Sequence, residues 1–328
     1  MTAARRTIAC LGAGRMGRGI AVAFAYAGHP ITLIDVKPRS AAQFEKLRAE
    51  ALDEIGTTLA SLSRFGLLKE TEAETVIARV SVLPSQQSAA ALAGAGIVFE
   101  GVPEVVDLKR EVLAAASKSI RPEVIIASTT STILVDDLSG AVAHPSRFLN
   151  VHWLNPAYLI PLVEISPGTA TDPAIIAEVK GLLEGIGKVP VVCAATPGFI
   201  VPRIQALAMN EAARMVEEGV ASAEDIDKAI RYGFGFRFAV LGLLEFIDWG
   251  GGDILYYASR YLEDALGSDR YRAPEVISRN MRDGRIGLRT AAGFLDYSGL
   301  DVDAYREQRL AALVDMLRHF GLARPPVL

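Results

Sequence analysis

Two cysteines in 328 residues, Cys10 and Cys193, are too few for a disulfide framework or a cysteine metal cluster. Both sit in apolar, strand-like runs, the setting of a buried thiol. Histidine is nearly as scarce. His29, His144, His152 and His319 show no ligand spacing, so no metal is expected. Positive charge is not in excess: 34 Lys and Arg face 38 Asp and Glu, a formal net charge of -4, which removes the basic field a nucleic-acid partner needs. No apolar run approaches the roughly 18 residues of a membrane span. The opening Met-Thr-Ala-Ala-Arg-Arg-Thr is too short and polar for a signal peptide. With no internal repeat and no low-complexity segment, the expectation is a globular cytoplasmic protein of about two domains.

Glycine is present where it carries information. "TIACLG" (7–12) reads as a short strand, "MGRGIAVAFAYAG" (16–28) as a helix ending at Gly28, and "ITLID" (31–35) as a second strand closing on Asp35. Gly12, Gly14 and Gly17 between them complete a strand, glycine turn, helix, strand and acidic residue, the dinucleotide fingerprint. Gly12 permits the tight turn, Gly14 lets the backbone approach a pyrophosphate, and Gly17 lets helix and strand pack closely. The helix N-terminus at Arg15 and Met16 presents unpaired N–H groups and a positive dipole end to phosphates. Asp35 accepts both adenosine ribose hydroxyls and repels a 2′-phosphate, which favours NAD. Lys37 and Arg39, close behind, keep NADP open.

Residues 38–79 read as a helical pair inserted between the second and third strands. "VSVLP" (80–84), "GIVFEGV" (96–102), "VIIAST" (124–129), "RFLNVHWLN" (147–155), "LVEIS" (162–166) and "VPVVCA" (189–194) read as strands with helices between most of them. Such alternation implies a doubly wound, mainly parallel Rossmann sheet. From "TPGF" (196–199) onward the pattern is helical. The expected organisation is a nucleotide-binding domain over 1–195, with its helical insertion near 40–79, and an all-helical domain over 196–328 for substrate and dimer contacts.

Ligands of such sheets bind beyond the C-terminal strand ends, so polar residues just after strands are the candidates. Ser131 follows "VIIA"; His152 and Asn155 follow "FLNV". Glu164 lies in the next strand, and a turn through Pro156 to Pro161 brings that strand back beside the first. A carboxylate in an apolar strand needs a partner, and His152 is the natural one. The pair suits a base that takes a hydroxyl proton; a structural histidine and an edge-strand glutamate are the alternative.

The ordered motifs "GAGRMGRGIA", "EGVPEVVDLK", "ASTTSTI", "HWLNPAYLIPLVEI", "TPGFIVPRI", "EEGVASAEDIDKAIRYGFGF", "GLLEFIDWGGGD" and "GRIGLRTAAGF" run almost end to end. In them the chain resembles the 3-hydroxyacyl-CoA dehydrogenase family, including its lambda-crystallin (L-gulonate 3-dehydrogenase) branch. The resemblance implies that His152 is the catalytic base and acid, Glu164 its partner, and that Ser131 and Asn155 shape the substrate oxygen site. It implies that Glu104 and Lys109 contact the nicotinamide half of NAD, that Arg289 stands in for a family lysine, and that the protein is a homodimer through its helical domain. The implied reaction is oxidation of a short (S)-3-hydroxyacyl-CoA such as 3-hydroxybutyryl-CoA. A free 3-hydroxy acid such as L-gulonate, or another small alcohol, is the alternative substrate. A non-catalytic NAD-binding protein is the remaining alternative, against which the intact Ser131, His152 and Glu164 set argues.

Four departures bear on the substrate. Pro202 stands where the family usually has asparagine. "RTAAGF" replaces "KTGEGF", so Ala291 stands for a glycine. An ungapped count from Asp35 puts Ala51 and Thr58 where CoA-using members carry a serine and a lysine. Pro161 stands before "LVE", where acyl-CoA members tend to have lysine.

Overall fold

The glycine-punctuated opening folds as its spacing requires: Ile8–Leu11 forms β1 with every side chain buried, Arg15–Tyr26 forms α1 and Ile31–Asp35 forms β2. These elements belong to a computed structural model that describes residues 6–327. The expected helical pair follows. Ala41–Arg64 forms α2, started by a capping box in which Ser40 and Gln43 each accept the other's backbone N–H. Glu70–Ile77 forms α3. Ala51, Ile55, Leu59 and Leu62 recur at helical spacing along α2 and are all buried, which ties the insertion into the core.

The remaining elements of this half alternate in type. They are β3 (Val80–Pro84), α4 (Ala89–Gly94), β4 (Ile97–Glu100), α5 (Val106–Ser117), β5 (Ile125–Ser128), α6 (Val135–Ser139), β6 (Phe148–Trp153), β7 (Leu162–Pro167), α7 (Pro173–Gly185) and β8 (Val189–Val192). The strands form one sheet in the order β3-β2-β1-β4-β5-β6-β7-β8. Every neighbouring pair is parallel except β6 and β7, which are antiparallel. Strand order reverses between β1 and β4, so the crevice of a doubly wound sheet opens there. Apolar residues cover both faces: Ile20, Phe24, Phe99 and Trp153 belong to one buried cluster, Leu113, Leu138 and Phe148 to the other. Cys10 lies fully buried in the first, and burial beside Glu100 raises its thiol to about 12. Cys193 is different: it sits just past β8 and is only half-buried, because that strand is exposed at the sheet edge.

The chain divides into two compact units, Met1–Met209 and Asn210–Leu328, and the division falls inside α8 (Val201–Glu217). Beyond it come α9 (Ala223–Ala229), a π-helical stretch over Ile230–Phe234, α10 (Gly235–Phe238), α11 (Leu243–Gly250), α12 (Gly252–Leu266), α13 (Glu275–Arg282) and α14 (Val302–His319). Among the described residues the only β pairing in this unit is two isolated bridges, Gly287 with Ala292 and Ala292 with Asp296. They lie in a loop pinned by buried Asp248, which accepts from the backbone N–H of Phe294 and Leu295 and from the Tyr297 hydroxyl. A Cβ at Gly293 would fall 2.0 Å from Asp248 Oδ1, so the loop closes only over glycine. Among the described residues no helix is long and apolar enough to cross a membrane.

Candidate active site

At the β1–β4 crevice the three fingerprint glycines meet different surroundings. Gly12 has φ +115° and sits against β4's exit; a Cβ there would lie 2.8 Å from the Gly101 carbonyl oxygen. A Cβ at Gly17 would lie 2.1 Å from the Gly12 oxygen, so the first turn of α1 packs on the glycine loop with no room to spare. A Cβ at Gly14 would meet no atom within 4 Å. The bare face of Gly14 is therefore turned to open space at the helix N-terminus, the geometry of an anion cradle. Arg15 opens α1, exposed to solvent, while Met16 is partly buried and packs against the core. Asp35 closes β2, buried, with Oδ2 held by Arg39 Nε at 2.6 Å and Oδ1 by the Lys37 N–H at 3.3 Å. Arg39 is thus committed to Asp35.

The histidine and glutamate singled out in the sequence are direct cross-strand partners. In the β6–β7 register His152 lies opposite Glu164. Strand alternation turns Val151 and Trp153, with Val163 and Ile165, into one core cluster, and leaves His152 and Glu164 together on the other face. His152 Nδ1 lies 2.8 Å from Glu164 Oε2, with side-chain exposures of 7% and 1%. The other carboxylate oxygen, Oε1, accepts from the backbone N–H of Ile200 at 2.9 Å and of Val201 at 2.8 Å. Those are donors at the start of α8, which therefore fix the orientation of the carboxylate. Burial, and after it the Glu164 charge, raises the half-buried Cys193 thiol.

Two features here escaped the sequence reading. Phe199 packs its ring 5.6 Å from the imidazole and holds φ +43°, the left-handed region that a bulky residue rarely adopts. The "TPGF" motif marked the turn, but backbone N–H donors carry no residue signature. Pro202 lies in the first turn of α8, where a missing N–H leaves no helical bond unmade.

A second cluster lies at the exits of β4 and β5. Glu104 is exposed, and its Oε1 accepts from the N–H groups of Ser131 and Thr132, both at 3.0 Å, and from the hydroxyls of Thr132 and, very closely, Thr130. Ser131, half-buried, points its hydroxyl at the same oxygen from 3.4 Å. Burial pushes the Glu104 carboxyl up, but hydrogen bonds from Thr130 and Thr132 and the Lys109 charge outweigh it and hold it below the ordinary glutamate value. Lys109 is itself only 1% exposed: its ammonium lies against the fully buried Glu100. Glu100 was missed in the sequence, whereas Ser128, Thr130 and Thr132 stand with Ser131 in the polar run after "VIIA". The signal was there for Glu100, a carboxylate ending the apolar run "IVFE", by the argument that paired Glu164 with His152.

Asn155 is exposed at the rim of a cavity of about 300 Å³ that Arg15, Arg18, Glu54, Thr58 and Tyr158 also line. Arg18 is engaged there by Glu54. Arg289 lies in the second unit, exposed and ion-paired with Asp253. So His152 and Glu164 form one group, and Ser131, Glu104 and Lys109 a second. The three glycines form a third, and Arg289 belongs to none of these contacts.

The chain is similar to known proteins over most of its length. The family model described as 3-hydroxyacyl-CoA dehydrogenase, NAD binding domain, matches residues 7–196, and that of the C-terminal domain matches 198–297. A 5-formyl-3-hydroxy-2-methylpyridine 4-carboxylate 5-dehydrogenase of Mesorhizobium japonicum is 30% identical, over 95% of this chain and 97% of its own. A 3-hydroxybutyryl-CoA dehydrogenase of Bradyrhizobium diazoefficiens is 31% identical, over 91% and 98%. The crystal structure of a 3-hydroxyacyl-CoA dehydrogenase from Archaeoglobus fulgidus covers 97% of this chain and 100% of its own, with a TM-score of 0.75 at 32% identity.

Proposed function

The chain belongs to the 3-hydroxyacyl-CoA dehydrogenase family and is an NAD-dependent oxidoreductase; from that premise we propose that it reversibly oxidises a short (S)-3-hydroxyacyl-CoA, 3-hydroxybutyryl-CoA, to the 3-ketoacyl-CoA. The buried His152–Glu164 pair carries this reading. With Nδ1–H donated to Glu164, Nε2 is the free base, and among the described residues none hydrogen-bonds it. Nε2 takes the substrate hydroxyl proton as the carbon–hydrogen bond at the same carbon breaks and the carbonyl forms. Glu164, locked by the start of α8, stabilises the imidazolium. Ser131 and Asn155 hold the substrate oxygen. Bound NAD supplies the hydride acceptor. Gly12, Gly14 and Gly17, with the α1 start at Arg15 and Met16, hold its pyrophosphate, and Asp35 its adenosine ribose. Glu104 and Lys109 serve the nicotinamide side, with Lys109 acting from beneath through Glu104.

One observation favours the alternative substrate, a free 3-hydroxy acid such as L-gulonate or another small alcohol. Ala51, at one of the two positions counted for CoA contacts, is fully buried, and Thr58, at the other, donates its hydroxyl to the Glu54 carbonyl at 2.9 Å. Neither offers a phosphate a charged partner. The Mesorhizobium relative is named for a small carboxylate without CoA. Steady-state reduction of acetoacetyl-CoA beside free acetoacetate and other 3-keto acids decides between them. The thioester reading expects a kcat/KM preference of at least about 100-fold for acetoacetyl-CoA, binding energy from the CoA half being used at the reacting carbon. Equal or inverted rates move the assignment to free acids.

The same reading makes the protein a homodimer through its helical unit. Along α12, Ile254, Tyr257 and Tyr261 are exposed by 62%, 63% and 72% at i, i+3, i+7 spacing, an apolar stripe suited to a copy of itself. Light scattering is expected to give twice the 35.0 kDa chain mass; a single-chain mass at micromolar concentration removes the dimer.

A further inference from the structure

Glu100 has no part in the reaction as derived, yet its contact with Lys109 is the most deeply buried ion pair among the described residues, at 0% and 1% exposure. Its geometry is complete. Glu100 Oε1 accepts from the Lys109 ammonium at 2.9 Å and the Val102 N–H at 2.8 Å. Oε2 accepts from the same ammonium at 3.1 Å and from Ser128 Oγ at 2.6 Å. The ammonium also donates to the Val102 carbonyl at 3.1 Å, and lies 3.4 Å from Glu104 Oε2. Lys109 thus stands between two carboxylates: one closed in the core, the other exposed and gathering the Thr130–Thr132 turn on its far oxygen.

A buried ion pair is a weak source of stability, since apolar residues of the same volume often do as well. What it does here is place a charge. Without Glu100, the Lys109 ammonium would keep Glu104 as its only carboxylate and draw it inward, off the donors of the turn. With Glu100 present, Lys109 is held at a fixed point and Glu104 rests against it by one oxygen, leaving the other for the turn. We propose that Glu100 is a positioning residue: through Lys109 it fixes the Glu104 carboxylate, and through Glu104 the turn that presents the Ser131 hydroxyl. Ser128, which donates to Glu100 from the end of β5, ties the same chain of contacts to the strand that leads into the turn.

The kinetic consequence rests on the role given to Ser131 under the proposed function; the ordering of the turn does not. Glu100→Gln in the full chain keeps the size of the side chain and removes its charge. Hydrogen exchange at the Ser131 and Thr132 amides, both donors to Glu104, is expected to quicken at least about tenfold, as local opening becomes easier. In turnover, Glu100→Gln and Ser131→Ala are each expected to lower kcat, by about tenfold or more. Together they should cost little beyond Ser131→Ala alone, because the two act through one group. Glu100→Asp, which keeps the charge, is expected to recover part of kcat. Unchanged exchange at both amides, or fully additive losses of kcat, overturns the proposal, as does a fall in Tm alone. Should Glu100→Gln not fold, Ser128→Ala carries the exchange test at about threefold amplitude. If the protein turns over no 3-hydroxy or 3-keto compound, the proposed function fails while the exchange result still judges this inference.

Discussion

His152→Ala is expected to lower kcat by about 10²–10⁴-fold while NADH affinity stays within about twofold of the native protein. The size follows from what one positioned proton acceptor contributes to a reaction whose hydroxyl proton must leave with the hydride. Affinity is spared because the glycine loop, the start of α1 and Asp35 belong to β1 and β2, whereas His152 belongs to β6. Removing the ring also strips a partner from a carboxylate that is 1% exposed, so some stability is lost as well. That loss is bounded, because Glu164 Oε1 keeps its two backbone donors from the start of α8. Measuring kcat beside fluorescence titration with NADH and a thermal melt separates the three effects. Turnover within tenfold of native in a folded, NADH-binding variant removes His152 as the base.

Much of this site was legible in the residues because its logic is local or strand-paired. The run from Thr7 to Asp35 announces strand, turn and helix through glycines, two of which have an immediate steric reason: a Cβ would lie 2.8 Å from the Gly101 oxygen at Gly12 and 2.1 Å from the Gly12 oxygen at Gly17. The His152–Glu164 pairing could be read because a hairpin-like return after Pro156 leaves few registers, and a lone carboxylate in an apolar strand demands a partner. Legibility ends where the partner is backbone or distant. The start of α8 recognises Glu164 through N–H groups that any residue possesses, and Phe199 adopts its left-handed backbone with nothing in its type to announce it. Lys109 illustrates the second kind. In the sequence it lies on an amphipathic helix, and only the family resemblance implies that it contacts the nicotinamide half of NAD. Folded, it is buried by Glu100 from the neighbouring strand and reaches the site through Glu104. Cys193 shows the reverse error. An apolar run reads as interior, but its strand ends the sheet, and edges expose what central strands cover.

Glu164→Gln is the sharper test of the pair, because the protein dictates which way the new amide must face. Two backbone N–H groups converge on Oε1, and as donors they can be satisfied only by an oxygen there. The glutamine carbonyl therefore takes that place and its NH₂ is turned to His152 Nδ1. Nδ1 must then accept, which puts the ring proton on Nε2, the nitrogen that has to be bare to receive the substrate proton. The substitution reverses the tautomer and also removes the negative charge that stabilises the imidazolium. A reversed tautomer in the analogous Ser-His-Asp arrangement costs about 10⁴ in kcat; here about 10³ or more is expected, with the fold and NADH affinity retained. Glu164→Ala is a poorer probe, since it empties a buried site and frees both α8 donors, mixing destabilisation with chemistry. The nitrogen NMR shifts of the imidazole give an independent check: the native ring should carry its proton on Nδ1, the glutamine variant on Nε2. Native-like turnover in Glu164→Gln, or an unchanged tautomer, would mean that the carboxylate only fills space, and that the proton transfer assigned to His152 needs no partner at all.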